Sequence, residues 1–219
     1  MGEIRAVIFD LDGVITDTAE MHYQAWQRLA DELGIRFDRT ANERFRGVSR
    51  GDCLRMLLDG VDGPHTDDFD TLLERKNDYY VASLDQLTGA DILPGAQELI
   101  CELRLAGIRT AIGSASKNTM AVLANLGLTD AFDQIVDGTM VAFSKPDPEV
   151  FLTAARLLDV PPEFCLVVED STAGIDAGLA GNMWTLGIGP TDRVGQAHAV
   201  VPSLAGLDWA RLAALIEDM

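Results

Sequence analysis

Two carboxylates separated by one residue, Asp10 and Asp12, with Gly13 directly after them, are the first feature of this chain able to do chemistry. They follow Ala6-Val7-Ile8-Phe9, a short apolar run of the kind needed by a strand buried on both faces. Open α/β sheets concentrate their chemistry at the carboxyl ends of their strands. Two acids at such an end, beside a glycine that lets the chain turn away, form a candidate site. On spacing alone, a strand ending in a solvated acidic turn fits equally well, because Asp and Gly are ordinary turn residues.

Later stretches break the tie. Ile112-Gly113-Ser114 closes a second apolar strand with a hydroxyl, Ser144-Lys145-Pro146 supplies an isolated lysine, and Val167-Val168-Glu169-Asp170 closes a third strand with paired acids. Together with Asp10-Leu11-Asp12-Gly13-Val14, and in this order, they resemble the four signatures of the haloacid dehalogenase-like phosphotransferase superfamily. Asp10 is then the candidate nucleophile. A carboxylate attacking a phosphate meets like-charge repulsion, so a divalent cation must sit between them. Mg²⁺ prefers oxygen ligands and retained waters, and Asp10, a main-chain oxygen at Asp12, Glu169 and Asp170 would hold it. For Glu169-Asp170 the competing reading is capping of the helix that follows.

Asp12 is the candidate general acid/base, protonating a leaving oxygen and later deprotonating an acceptor hydroxyl. Ser114 and the amides of Ala115 and Ser116 can hold phosphoryl oxygens ahead of a helix start. Lys145 would neutralise charge on the transferring group. Taken singly, Ser114 and Lys145 also read as a loop hydroxyl and a surface lysine.

A closer resemblance covers nearly the whole chain. Phe9–Glu20, Gly47-Val48-Ser49-Arg50, Arg75-Lys76-Asn77-Asp78, Ser114-Ala115-Ser116-Lys117-Asn118, Ser144-Lys145-Pro146 and Glu169-Asp170-Ser171 are similar to the β-phosphoglucomutase family. That resemblance implies interconversion of β-glucose 1-phosphate and glucose 6-phosphate through β-glucose 1,6-bisphosphate and a phosphorylated aspartate. It implies Asp10 as the phosphorylated residue, Asp12 as the acid/base, and Thr18 and His22 at a hinge controlling Asp12. It also implies Gly47, Val48, Ser49 and Arg50 on the cap side, with Arg50 gripping the non-transferring phosphate. Lys76 would reach in from the cap, and Ser116, Lys117 and Asn118 would contact sugar and phosphate. One departure stands out: Arg46 occupies the place where the family pattern leads to lysine. It keeps the charge but differs in shape and hydrogen-bonding geometry, which bears on the hexose contact. The rivals are a phosphatase of the same fold, which lets water attack the aspartyl-phosphate, and a catalytically silent sugar-phosphate-binding protein. The second would show a missing catalytic position, and every position is filled.

At 219 residues the chain can bury a full core. A formal charge of −18 argues against nucleic acid and anionic membranes as partners, so an anionic substrate needs a locally basic pocket. No apolar run is long enough to span a membrane, and the N-terminus runs straight into the first strand, so a cytoplasmic protein is expected. The resemblance implies small-molecule hexose phosphates as its partners, and a monomer is expected. Cys53, Cys101 and Cys165 are widely spaced among apolar residues and are expected to be buried free thiols.

Two groups of elements must position these residues. Asp17-Thr18-Ala19-Glu20 suits a capping-box-like helix start, followed by Met21, Ala25, Leu29, Ala30 and Leu33 at helical spacing until Gly34. Helices follow around Arg39–Phe45, Arg50–Leu58 and Asp67–Asp85, with a break at Val61-Asp62-Gly63-Pro64. No strand pattern appears there. A helical cap over residues 16–87 is therefore expected, joined through hinges near Val14–Asp17 and Leu84–Asp91 to a core of residues 1–15 and 88–219.

The second half alternates, with helices at Pro94–Gly107, Lys117–Leu126, Pro148–Leu158, Thr172–Ala180 and Leu207–Glu217. Between them lie strands at Thr110–Gly113, Gln134–Val136, Cys165–Val168 and Trp184–Ile188. Such alternation predicts an α/β fold with a Rossmann-like core, a parallel sheet flanked by helices, plus a small all-helical cap inserted after the first strand.

Overall fold

A computed structural model describes residues 4–59 and 68–217. Strand β1 (Ala6–Phe9) leads into helices α1 (Ala19–Glu32), α2 (Arg39–Glu43), α3 (Arg50–Leu58) and α4 (Phe69–Leu84). The chain then alternates: α5 (Ala96–Leu105), β2 (Arg109–Gly113), α6 (Thr119–Leu126), β3 (Gln134–Val136), α7 (Glu149–Leu158), β4 (Cys165–Glu169), α8 (Thr172–Ala180), β5 (Trp184–Ile188), α9 (Thr191–Val194), β6 (Ala199–Val201) and α10 (Trp209–Glu217). Six strands pair in the order β3-β2-β1-β4-β5-β6, every pair parallel. This is the α/β sheet that the alternation predicts.

Side chains on a strand alternate between faces, and the central strands use both. Val7 and Phe9 of β1, with Leu166 and Val168 of β4, enter the core beneath α5, α6 and α10. Ala6 and Ile8, with Cys165 and Val167, enter the opposite core, formed with α7 and α8. A third core, built on Trp26, Leu29, Phe37, Leu54, Leu57 and Leu72, lies among α1–α4. Ala25, Tyr80 and Leu84 join the first core instead, so the four helices are seated against the sheet side of the molecule.

The two segments that connect these helices to the sheet are tied together. Thr16, fully buried, donates from Oγ1 to the Asp91 carbonyl at 2.8 Å, and Leu93 N–H donates to the Ile15 carbonyl at 2.8 Å. Paired in this way, the segments form one short junction.

Several boundaries differ from expectation for local reasons. Thr18 takes the N-cap position of α1 without capping it, because its hydroxyl donates to Asp12; Asp17 accepts from Ala19 N–H instead. The helix expected over Arg39–Phe45 ends at Glu43. The helix expected from Lys117 starts at Thr119, with Asn118 at its N-cap and the Asn118 side-chain amide donating to Asn77. The break at Val61-Asp62-Gly63-Pro64, and Asp67 at the expected start of α4, lie outside the described residues. All three cysteines are free, but only Cys53 and Cys165 are buried. Cys101 is exposed because α5 buries the face carrying Ala96, Leu99, Ile100 and Leu103. The short α9 and β6 fall between Ile188 and Leu207, where no element was expected. Among the described residues no helix is long and apolar enough to cross a membrane.

Candidate active site

Register brings the site together. Phe9 aligns with Ile112 of β2 on one side and Val168 of β4 on the other, so all three strands end at one level. Asp10, whose N–H donates to the Val168 carbonyl at 2.9 Å, therefore sits beside Ser114 and the Glu169-Asp170 pair. Lys145 enters from the loop before α7. Its Nζ lies 2.5 Å from Asp10 Oδ1 and 3.0 Å from Glu169 Oε1, with the side chain fully enclosed. Glu169 Oε2 accepts from Ser171 N–H and Oγ–H, both at 2.7 Å. Glu169 thus anchors Lys145 to the start of α8, a role that reaches beyond helix capping.

Asp10, Glu169 and Asp170 each offer one oxygen within 4.8 Å of the others. Three hard oxygen donors gathered this closely suit a divalent cation of the Mg²⁺ kind. Gly13 keeps room for them: at its φ of +86° a Cβ would overlap the Asp170 carboxylate. Burial drives the Asp10 carboxyl well above its ordinary range, with Lys145 pulling the other way. Burial and the neighbouring Glu169 push Asp170 up to about 7, opposed by Arg46 and Arg193. Lys145 remains a cation, because the attraction of Asp10 and Glu169 overcomes the burial that opposes it.

Asp12 points elsewhere. Its Oδ1 accepts from Thr18, which is completely buried behind it, and burial raises its carboxyl above the usual range. Thr18 lies outside the cavity wall, so it reaches the site only through Asp12.

Above these acids a cavity of about 1100 Å³ opens between the strand ends and α1, α3 and α4. Asp10, Asp12, His22, Arg46, Gly47, Val48, Ser49, Arg50 and Lys76 line it from one half of the chain. Ser114, Ala115, Ser116, Lys117, Asn118, Lys145 and Asp170 line it from the other. Of the residues singled out in the sequence, Thr18 and Glu169 are absent from the wall; both stand directly behind a residue that is in it. Of the cations in the wall, Arg46, Arg55 and Lys145 are paired with carboxylates, and three others show how a protein of charge −18 can take an anion here. Arg50 has a buried Nη1 with no partner among the described residues, an orphaned donor of the kind that a ligand oxygen satisfies. Lys117 is exposed at the rim.

Lys76 is the third, and it is unusual. Its side chain is buried, with Nζ 2.8 Å from His22 Nδ1 and over the rings of Trp26 and Tyr80. His22 stacks on Tyr80 with ring centroids 3.9 Å apart. Among the described residues no carboxylate is within ion-pair distance of Lys76, and burial pulls it down from 10.5 to about 7. Burial, then Lys76 and Arg50, hold His22 well below 6.5, so its neutral ring can accept from the ammonium. Between about 7 and 10.5 the unfolded chain binds the extra proton, so this lysine makes folding more favourable as pH rises through that window. Lys76→Met is expected to raise stability near pH 7 by a few kcal/mol, at about 1.4 kcal/mol per pKa unit, with a correspondingly higher melting temperature, and to flatten stability between pH 7 and 10. Affinity for a phosphorylated ligand should fall in the same variant. Thermal melts across pH check the first effect; a lower melting temperature would refute it.

Three polar contacts that sequence reading passed over join the helices to the sheet side. Asn118 Nδ2 donates to Asn77 Oδ1 at 2.8 Å, Ser144 Oγ donates to Asp52 Oδ2 at 3.0 Å, and Arg46 Nη1 donates to Asp170 Oδ2 at 3.0 Å. Asn77 stands in the quoted Arg75–Asp78 stretch, and Asp52 at capping distance from Ser49, so both were within reach of pattern. Arg46, where the family resemblance leads to lysine, uses its fork to bridge Asp170 and Glu43.

This constellation of strand-end acids, hydroxyl and lysine defines a phosphotransferase-like site on a parallel sheet. The chain belongs to the haloacid dehalogenase-like hydrolase family, whose profile matches residues 4–182. Within it, the chain is 42% identical over 207 residues to β-phosphoglucomutase of Bacillus subtilis, covering 93% of this chain and 92% of that one. The fold matches β-phosphoglucomutase of Clostridium difficile with a TM-score of 0.93, 39% identity and 98% of each chain. A phosphorylated carbohydrates phosphatase of Thermotoga maritima is 30% identical over 176 residues, 80% of each chain.

Proposed function

We propose that this protein is a β-phosphoglucomutase, interconverting β-D-glucose 1-phosphate and D-glucose 6-phosphate through β-glucose 1,6-bisphosphate and a phosphorylated Asp10. Residues 16–87 act as a cap over a core of residues 1–15 and 88–219, turning at the junction where Thr16 meets Asp91. Mg²⁺ is the cofactor, held by Asp10, Asp12 through its main-chain oxygen, Glu169 and Asp170. When bound, it screens the repulsion between a carboxylate and a phosphoryl group. The protein works in the cytoplasm on free hexose phosphates, without a nucleic-acid or membrane partner.

The chain's own residues supply the rest. With Asp10 phosphorylated, Asp12 takes the proton of the free hydroxyl of β-glucose 1-phosphate, that oxygen attacks phosphorus, and the bond from phosphorus to Asp10 breaks to give the bisphosphate. After the bisphosphate turns over, Asp10 attacks its other phosphorus and the bond to the sugar oxygen breaks. Asp12 gives its proton to that leaving oxygen, releasing glucose 6-phosphate and restoring the aspartyl-phosphate. Ser114, the amides of Ala115 and Ser116, and Lys145 hold the transferring oxygens, where negative charge gathers. Arg50, Lys76, Ser116, Lys117 and Asn118 hold the distal phosphate and the sugar, with Arg46, Gly47, Val48 and Ser49 forming the facing wall. Thr18 and His22 set whether Asp12 is engaged.

The observation that carries this reading is the orphaned Arg50 Nη1 in the cavity wall, opposite the acids. A phosphatase needs one phosphate site, and this wall offers a grip for a second. Binding energy at the remote phosphate can then assemble the catalytic geometry. The phosphatase reading is favoured by the Thermotoga maritima relative. Pre-phosphorylated protein separates the two. Arg50→Ala is expected to slow transfer to glucose phosphate by roughly 10²-fold or more, while hydrolysis by water changes little. Equal losses in both rates would overturn the role of Arg50. A coupled assay for glucose 6-phosphate, primed with a trace of the bisphosphate, tests the mutase activity itself.

A further inference from the structure

Asp170 is held by two arginines that come from segments far apart in the chain. Arg46, between α2 and α3, places Nη1 3.0 Å from Asp170 Oδ2. Arg193, on α9, places Nη2 3.6 Å from the same oxygen. Glu43 joins both, its Oε2 lying 3.1 Å from Arg46 Nε and 4.0 Å from Arg193 Nη1. Four charges of alternating sign thus link α2, α9 and the end of β4.

Arg193 is built into this place. Its Nε is buried without a partner among the described residues, and its carbonyl accepts from Thr172 Oγ1 at 2.8 Å. Gly189, with φ +115°, leaves the space that the guanidinium fills, since a Cβ there would lie 2.7 Å from Nη2. Nothing in the sequence pattern pointed to this residue, because it stands on a four-residue helix far from any motif.

Asp170 also belongs to the three-acid cluster, so one carboxylate serves two claimants. We propose that Arg193, together with Arg46, is an internal competitor for the cation site: the two guanidinium groups hold Asp170 Oδ2, and a divalent cation binds by drawing that oxygen away from them. The proposal rests on the reading of the cluster as a cation site. Its physical basis is that ionised hydrogen bonds to a carboxylate are short and strong, and the low local dielectric magnifies them. Because Arg46 comes from the segment that carries α2 and α3, release of Asp170 also loosens one of the contacts tying these helices to the sheet. Cation affinity and the hold of the helices are therefore coupled, and the coupling is reciprocal.

Calorimetric titration of unphosphorylated protein with MgCl₂ tests this, with Mn²⁺ paramagnetic resonance as a second readout and circular dichroism to verify folding. Arg193→Met is expected to tighten the dissociation constant by roughly five- to twentyfold. Arg193→Lys keeps the charge but loses the planar fork, so it should tighten binding by about threefold or more. Glu43→Gln removes the counter-charge of both arginines and should weaken binding. An unchanged or weaker dissociation constant in Arg193→Met overturns the proposal. So does an Arg193→Lys variant identical to wild type, because distant charge alone would then account for the effect. Absence of saturable binding in wild type and every variant would overturn the cation site itself, and the proposal with it.

Discussion

Asp10→Asn is expected to abolish the phosphoenzyme and lower turnover by on the order of 10⁴-fold or more, while leaving the fold intact. Asn keeps the shape of the side chain but lacks the anionic oxygen that attacks phosphorus. Lys145 retains Glu169 at 3.0 Å, so it stays in place when one of its two carboxylates is removed. Stability should not suffer. Burial raises the Asp10 carboxyl well above 3.8, so the folded state holds a proton more tightly than the unfolded chain does. The sign of that linkage makes the ionised wild-type residue a cost to folding that grows as pH rises from the unfolded value through the folded one. A neutral amide escapes the cost, and the melting temperature near pH 7 should hold or rise. Intact mass after incubation with a phosphoryl donor, beside a turnover assay, checks both halves. Activity within tenfold of wild type would remove Asp10 from its role.

Asp12→Asn should produce the second largest loss, about 10²- to 10⁴-fold in turnover, the range for a positioned acid/base. The loss should depend on the leaving group. Transfer from a sugar phosphate expels an alkoxide, which needs a proton as it departs. Transfer from acetyl phosphate expels acetate, which needs none. The variant should therefore form the phosphoenzyme from acetyl phosphate at close to the normal rate and fail to pass it to a sugar hydroxyl. Thr18 gives a further arm, because its buried hydroxyl donates to Asp12 Oδ1 and helps to orient it. Thr18→Val should show the same selectivity with a smaller loss. Rapid-quench measurement with both donors reads this directly. Equal slowing with both would mean that Asp12 supports the site rather than moving protons.

The core of this candidate site was legible in the residues because its acids and the Ser114 hydroxyl follow short apolar strands, and the strand ends of a parallel sheet converge. Asp10, Ser114, Glu169 and Asp170 needed only local patterns of four or five residues to be placed at those ends. Lys145 was recognised by the company of Ser144 and Pro146, and its enclosure by Asp10 and Glu169 is what the register then produced. The helices between β1 and α5 were legible as helices, since their apolar positions recur at helical spacing.

Contacts across the chain were not. That Lys76 lies buried against His22 rather than exposed, and that Asn77 meets Asn118, depends on how α4 stands over the sheet, which no periodicity encodes. The same holds for Arg193: a single arginine on a four-residue helix carries no pattern, yet it comes 3.6 Å from Asp170. By itself the sequence determined the order of the longer strands and helices, β6 and α9 excepted, and the chemical types at the strand ends, because these follow from hydrophobic period and turn chemistry within a few residues. Which cations face the acids, which carboxylates they neutralise and how large a cavity remains between them were decided only by tertiary structure. Those quantities depend on distances between segments far apart in the chain, and a few ångströms there separate an ion pair from two solvated charges.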